Sequence, residues 1–168
     1  MKNKISFIFV LILCFSLNYI NAESYNRNVD FGTWQHHHGV TVRQELIKQA
    51  NLDGKFFCSY TGDWHLIQTA QVDHIIPVAW AYLHGANKWT HTKRVQFYND
   101  SQNLILVYGP VNEAKGDSPP DKWFPPRKEY RVQYLTSWIT VCRKYDLECD
   151  FEMLSKMIDR NLTNKDYE

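Results

Sequence analysis

Asp73 and His74 stand side by side in the stretch QVDHIIPVAW, residues 71–80, within an apolar run. An ionisable pair among Val and Ile residues costs free energy unless each group has a partner. A neutral imidazole can accept a proton from water near neutral pH, and a carboxylate can bind a hard metal ion. The pair is therefore either held by structural partners or part of a site that performs chemistry.

Three further polar residues follow in an order that could complete such a site. Asn103 precedes the apolar run LILV, and Asn112 and Lys115 lie in the segment VNEAKGD. The pattern predicts strands at QVDHIIPV and NLILV, and then a single helical turn that ends at Gly116. A β-β-α unit of this kind can bring a histidine, a carboxylate and an amide oxygen to one point.

The positions of Asp73 and His74 on the first of these strands set a condition on the site. Neighbouring residues on a regular strand point to opposite faces. The two side chains can therefore share a site only if the strand bends or ends there. Pro77, three residues after His74, predicts that the strand ends at this point.

The remaining segments predict a mixed α and β chain around this unit. Residues 41–54 predict a helix, because Thr41 stands three residues before Gln44 as in a capping box. KFFCSYTGDW predicts a short strand followed by a glycine turn, with Gly109 and Pro110 turning the chain later on. Residues 79–102 predict two short helices separated by HGAN.

Two helices are predicted in the C-terminal part of the chain. YRVQYLTSWITVCRKY carries two neighbouring apolar rows, which predicts a core helix, and FEMLSKMIDRNL predicts a final helix. The rows consist of Val132, Leu135, Ile139 and Cys142, and of Tyr134, Trp138, Val141 and Tyr145.

The first 22 residues match a secretory signal peptide. MKNK is positively charged, an apolar run follows, and NYINA ends in the small residue Ala22. The apolar run of about 13 residues is shorter than the roughly 20 that a membrane-spanning helix needs. We predict cleavage after Ala22, a secreted or periplasmic location, and no membrane attachment afterwards.

Composition and charge limit the remaining possibilities. The chain has 168 residues and is 44% apolar, which indicates one folded domain and excludes a disordered chain. Removal of the signal takes away Lys2 and Lys4, so that 17 basic residues face 18 acidic ones and the formal charge becomes −1. Net charge therefore does not indicate a nucleic-acid binder, and such a role would need a local basic surface.

The cysteines leave one question open. Without Cys14, which lies in the predicted signal, the chain keeps Cys58, Cys142 and Cys149. Three cysteines in an exported protein allow one disulfide and one free thiol. Cys142 and Cys149 are the nearest pair in sequence, but Cys142 also lies on an apolar helix row, where a buried thiol is an equal alternative.

The run of three histidines, His36 to His38, could suggest a metal site. Consecutive side chains cannot all converge on one ion without an unusual backbone, and no carboxylate or cysteine accompanies them at ligand spacing. We therefore expect no physiological metal role for this run.

Residues 72–126 resemble the secreted HNH-type nucleases of bacteria. The family's ββα-metal motif has a DHIxPL strand, a central Asn before an apolar strand and an NxxKGD helix, and this chain has DHIIP, NLILV and NEAKGD in that order. TVRQE, CSYTG and YLTSWITVCRKYDL match more loosely. The resemblance implies an α+β fold with a small ββα-metal core at about residues 71–117, within a single domain of residues 23–168.

The resemblance also implies a catalytic centre. His74 would be the general base, and Asn103 would brace the loop that aims it. Asp73 and Asn112 would be the metal ligands, and their oxygen atoms suit Mg²⁺, with Mn²⁺ as a substitute. Some members of the wider superfamily have a second metal-binding histidine where this chain has Asn112, which leaves more of the coordination to water.

Two basic residues match the family at positions that contact substrate. Lys115 would place a point charge beside the phosphate. Arg43, in TVRQE, fits a family position as well, but a surface salt bridge would explain it equally well.

The sequence thus predicts a metal-dependent endonuclease that acts as a monomer on DNA with little sequence preference, with RNA as an open alternative. No base-reading module is recognisable, so contacts should go mainly to phosphates. The products would carry 5′-phosphate and 3′-hydroxyl ends. The competing hypothesis is an exported binding protein that keeps the nuclease scaffold without turnover, and the sequence does not indicate an inhibitor.

Overall fold

The structure, a computed structural model, describes residues 25–37 and 39–163. The predicted signal peptide at residues 1–22 lies outside the described residues, as does His38, so the domain boundary at residue 23 stays a prediction. The fold is a mixed α+β arrangement in which short antiparallel strand pairs are surrounded by helices. This confirms the predicted fold class.

The strands of the described residues form antiparallel pairs, β1 with β2, β3 with β4 and β5 with β6. Their bounds are β1 His36–His37, β2 Val40–Thr41, β3 Lys55–Cys58, β4 Asp63–Leu66, β5 Ala70–His74 and β6 Leu104–Tyr108.

The helices vary from a single turn to four turns. Their bounds are α1 Arg27–Asp30, α2 Val42–Ala50, α3 Val78–Leu83, α4 His91–Tyr98, α5 Gly109–Lys115, α6 Arg131–Tyr145 and α7 Phe151–Thr163. No helix in the described ranges has the length and apolar character needed to cross a membrane.

The ββα unit at the centre is made by β5, β6 and α5. In the β5–β6 register Ala70 lies opposite Tyr108, and His74 lies opposite Leu104. β5 ends at His74, and Pro77 leads into α3, so the predicted strand ending is confirmed. Helix α5 is longer than the predicted single turn.

The start of α5 corrects the prediction that Gly109 and Pro110 form a turn. Gly109 is the first residue of the helix and Pro110 follows it, in the first turn, where a missing N–H costs no helical hydrogen bond. The helix ends at Lys115, and Gly116, which caps it, has a φ of 52°. Glycine adopts this conformation with less strain than other residues.

The predicted helices are confirmed where their local signals are strong. Thr41 caps α2 in a reciprocal capping box with Gln44. Strand β4 was not predicted, because most of its residues are exposed and it has no buried apolar face. Helix α6 lies at the centre of the aromatic core, and its buried residues are Tyr134, Leu135, Trp138, Val141, Cys142 and Tyr145.

The structure decides the open question about the cysteines. Cys142, near the end of α6, forms a disulfide with Cys149, in the loop before α7. Cys58 is a buried free thiol whose Sγ accepts a hydrogen bond from the backbone N–H of Tyr108 at 3.3 Å. The disulfide thus ties the core helix to the segment that leads into the C-terminal helix.

Candidate active site

The end of β5 presents its polar side chains in two directions. Gln71 and Asp73, two residues apart, lie on the side of the strand that faces α5, where they contact Asn112 and Lys115. The His74 ring packs against other partners, the aromatic residues Trp34 and Tyr98. Because the strand stops at His74, these two sides still meet in one pocket.

Asp73 is a buried carboxylate with two strong donors. Lys115 Nζ donates to Oδ1 at 2.8 Å, and the hydroxyl of Tyr60 donates to Oδ2 at 2.7 Å. Burial raises the pKa of Asp73, while the charge and hydrogen bond of Lys115 and the hydrogen bond of Tyr60 oppose that rise. Both donors favour the ionised carboxylate, so the surrounding residues supply the compensation that a buried charge needs.

Lys115 lies inside the protein. Its side chain is fully buried, and Nζ also donates to the backbone carbonyl of His74 at 2.8 Å. Burial lowers the pKa of Lys115, and the neighbouring Asp73 carboxylate opposes that effect. This placement favours an indirect role, through Asp73, over the predicted direct contact with a phosphate.

His74 is held in one orientation. Its Nε2 lies 2.7 Å from the carbonyl oxygen of Tyr98. A carbonyl can only accept, so Nε2 carries the hydrogen and, in the neutral ring, Nδ1 carries the lone pair. Trp34 stacks on the imidazole with ring centroids 5.5 Å apart and planes 14° apart. Burial lowers the pKa of His74 to about 3, which keeps the ring neutral.

Asn103 fixes the loop that follows His74. Its Oδ1 accepts from the backbone N–H of Ile76 at 2.8 Å, and its Nδ2 donates to the carbonyl of the same residue at 3.2 Å. The carbonyl of Asn103 accepts from the N–H of Ile75 at 2.8 Å. The buried asparagine thus replaces the strand pairing that stops at His74, a geometry suited to the predicted bracing role.

Asn112 is oriented by a neighbouring glutamine. Its Nδ2 donates to Oε1 of Gln71 at 2.8 Å. Among the described residues no donor reaches its Oδ1, so the oxygen that the sequence predicts as a ligand remains free.

Three of these groups line a cavity of about 350 Å³. Asp73, His74 and Asn112 lie in its wall, and two arginines, Arg27 and Arg43, line it as well. The structure therefore brings the predicted base, the predicted ligands and Arg43 together. The other two predicted site residues, Asn103 and Lys115, lie behind this lining and support it.

The oxygen atoms in this cavity fit a hard cation better than zinc. Within the described ranges, no group of three or more His, Cys, Asp or Glu residues could hold a metal ion. Asp73 and Asn112 would supply one carboxylate and one amide oxygen. Mg²⁺ commonly binds through one or two carboxylates and keeps several waters, so the residues present suit it.

One protein family matches most of the chain. The family described as the C-terminal domain of GmrSD restriction endonucleases matches residues 14–152. The chain belongs to this family. This membership agrees with the resemblance to HNH-type nucleases.

A fungal protein is similar to part of the chain. An "Uncharacterized secreted protein" of Arthroderma benhamiae is 40% identical over 101 residues, which are 58% of this chain and 50% of that protein. The chain therefore spans about half the length of this relative. No solved structure matches the chain.

Several residues of this site were missed by the sequence analysis. Tyr60 lies in the loosely matching CSYTG, but nothing there indicated a contact with a residue 13 positions later. Arg27 and Trp34 lie in the polar N-terminal segment, where no periodicity marks them. Gln71 could have been found, because it stands two residues before Asp73 and so on the same strand face.

Proposed function

We propose that the protein is a secreted, metal-dependent endonuclease that hydrolyses phosphodiester bonds in DNA with little sequence preference. The observation that carries the proposal is the neutral imidazole of His74, oriented by Tyr98, in one cavity with Asp73 and Asn112. Membership of a restriction endonuclease family supports the nuclease class. RNA is the second substrate to be tested.

His74 acts as the general base. With Nε2–H bound to Tyr98, Nδ1 accepts a proton from a water molecule, and the resulting hydroxide attacks the phosphorus atom. The bond from phosphorus to the departing 3′ oxygen breaks, this oxygen takes a proton from solvent water to become the 3′-hydroxyl, and the proton on the ring returns to solvent. In the protein without substrate, the pKa of His74 is about 3. An anionic phosphate beside the imidazole raises this pKa, so that the ring accepts a proton more readily.

Asp73 and Asn112 would hold the metal ion. When bound, a Mg²⁺ ion would neutralise negative charge that grows on the phosphoryl and leaving oxygens. Lys115 and Tyr60 hold the Asp73 carboxylate in place and favour its ionised form. Asn103 keeps His74 in position through the backbone of Ile76.

Arg27 and Arg43 bind the phosphates of the substrate. They line the cavity, and a guanidinium group matches phosphate geometry. Because such contacts do not read bases, we expect weak sequence preference and an affinity that falls as salt concentration rises.

Export is proposed on two grounds. The first 22 residues have the pattern of a signal peptide. The Arthroderma benhamiae relative carries the word "secreted" in its name. A secreted or periplasmic location is also compatible with the disulfide between Cys142 and Cys149.

The test is plasmid cleavage by the purified protein with EDTA, Mg²⁺ or Mn²⁺. EDTA should stop cleavage and either metal should restore it. His74→Ala should keep metal binding but lose about 10² to 10⁴ in rate, the usual contribution of positioned proton transfer. Asn112→Ala should bind metal more weakly, and high Mg²⁺ should partly rescue it but not the histidine variant.

Two kinds of result would refute the proposal. Intact DNA and RNA under all divalent ions and pH values would favour a binding protein on a nuclease scaffold. Full activity in a rigorously metal-free preparation, or wild-type speed in His74→Ala, would show that the mechanism is wrong.

A further inference from the structure

Glu113, Gln71 and Asn112 form a chain of hydrogen bonds beside Asp73 that the mechanism above does not use. Nε2 of Gln71 donates to Oε1 of Glu113 at 3.2 Å, and Oε1 of Gln71 accepts from Nδ2 of Asn112 at 2.8 Å. Glu113 is exposed, and the other two are half-buried. The chain thus runs from solvent to a predicted metal ligand.

Glu113, at the outer end, sets which groups donate and which accept along this chain of hydrogen bonds. An ionised glutamate can only accept, so Gln71 must turn its NH₂ group towards Glu113. The side-chain carbonyl of Gln71 then faces Asn112, which must donate to it from its own NH₂ group. The remaining atom of the Asn112 amide, Oδ1, is thereby left for another partner.

We propose that Glu113 and Gln71 are positioning residues that orient the Asn112 amide so that its oxygen, and not its nitrogen, is presented to the metal ion. This inference rests on the proposed function, in which Asn112 is a ligand. A flipped Asn112 would present its NH₂ group, which does not bind a cation.

The backbone around Gln71 leaves room for this arrangement. A Cβ atom added at Gly109 would lie 3.0 Å from Nε2 of Gln71 and 3.2 Å from the carbonyl oxygen of Thr69. Contacts at these distances are tighter than nine in ten real Cβ contacts, so with a larger residue at this position the neighbouring atoms would have to shift by a few tenths of an ångström. A glycine at the start of α5 therefore allows Gln71 to reach both Asn112 and Glu113.

The test reverses the donors and acceptors in this chain of hydrogen bonds without removing the hydrogen bonds. In Glu113→Lys the outer residue can only donate, so Gln71 turns its carbonyl outwards and its NH₂ towards Asn112. Asn112 must then use Oδ1 as the acceptor. We expect the affinity for Mn²⁺, measured by calorimetry without nucleic acid, to fall about 10-fold or more, as for other residues that orient metal ligands.

The positive charge introduced by Glu113→Lys would itself repel a cation, and a second pair of variants separates this effect. In Asn112→Asp both side-chain oxygens can accept or bind metal, so the direction of the chain no longer matters. Glu113→Lys should therefore cost much less Mn²⁺ affinity when it is combined with Asn112→Asp than when it is made alone. Simple repulsion would cost the same in both backgrounds.

The possible outcomes distinguish this inference from the proposed function. Equal losses in both backgrounds would overturn the orienting role while leaving the metal site intact. A parent protein that binds no Mn²⁺ or Mg²⁺ would overturn the metal assignment of Asn112 and this inference together. Unchanged circular dichroism and thermal midpoints would show that the parent, the two single variants and the double variant all remain folded.

Discussion

Replacing Lys115 by Met separates a structural role for this lysine from the predicted contact with substrate. Methionine fills a similar volume but cannot donate to Oδ1 of Asp73 or to the carbonyl of His74. Asp73 would then be a buried carboxylate with Tyr60 as its remaining side-chain donor. Breaking a buried ion pair by removing one partner costs about 3–5 kcal/mol of folding free energy.

That loss is large for a domain of this size. Small proteins are stable by about 5–15 kcal/mol in total, so the variant should unfold at clearly lower urea concentration in EDTA. Lys122→Met is the matched control, because Lys122 is 71% exposed and its ion pair with Asp121 is at the surface. An exposed pair contributes about 0–1 kcal/mol, so this control should remain close to the parent.

The pH dependence of the Lys115→Met defect gives a second check. Burial already raises the pKa of Asp73, and loss of Lys115 raises it further. A carboxyl group with a raised folded-state pKa adds stability below its unfolded pKa and loses that stability as pH rises through the folded value. The defect should therefore be smallest in acid and largest at neutral pH.

The opposite result would favour the substrate role predicted from the sequence. If Lys115 contacts phosphate and not Asp73, Lys115→Met should unfold like the parent and bind nucleic acid more weakly. Unchanged stability at pH 7 would therefore refute the ion pair as a stabilising contact.

Two further predictions concern stability. Because burial lowers the pKa of His74 to about 3, the metal-free protein should lose stability as pH falls below about 6.5, by up to about 1.4 kcal/mol per pH unit. Urea titrations at several pH values should find that the stability of His74→Gln depends less on pH. An equal pH dependence in the parent and the variant would contradict this prediction. Replacing Cys142 and Cys149 together by Ser should cost about 2–3 kcal/mol, as expected for a disulfide across a sequence separation of seven, and should leave the cleavage rate at 25 °C unchanged; a thermal midpoint equal to the parent's would count against it.

Local patterns were enough to predict the elements that carry the site. β5 and β6 lie in apolar runs, α6 has two neighbouring apolar rows and α2 has a capping box, so each could be predicted from a short window. β4 could not, because its exposed residues after a glycine turn have no apolar face. Local prediction therefore failed where burial gave no signal.

The contacts of Lys115 and Cys142 depend on how elements that are distant in sequence pack together. These contacts could therefore not be predicted from the residues near Lys115 or Cys142. Asn112 and Lys115 are three residues apart on α5 and so share a face. Which of them reaches the cavity depends on the rotation of the helix against β5. Pairing of Cys142 with Cys149 likewise depends on where α6 ends.

Asp73 and His74 can be adjacent in an apolar run because their side chains lie on different sides of β5, at the end of the strand. Asp73 lies on the charged side, where Lys115 and Tyr60 offset the cost of its burial. His74 lies on the aromatic side, where burial keeps the ring neutral, Trp34 stacks on it and the carbonyl of Tyr98 fixes one tautomer. An ammonium group as close to the imidazole as Lys115 is to Asp73 would compete for the lone pair that the base needs. Because consecutive residues of β5 point to different sides, the carboxylate and the imidazole lie in different surroundings. Each group can then have the protonation state that its proposed role requires.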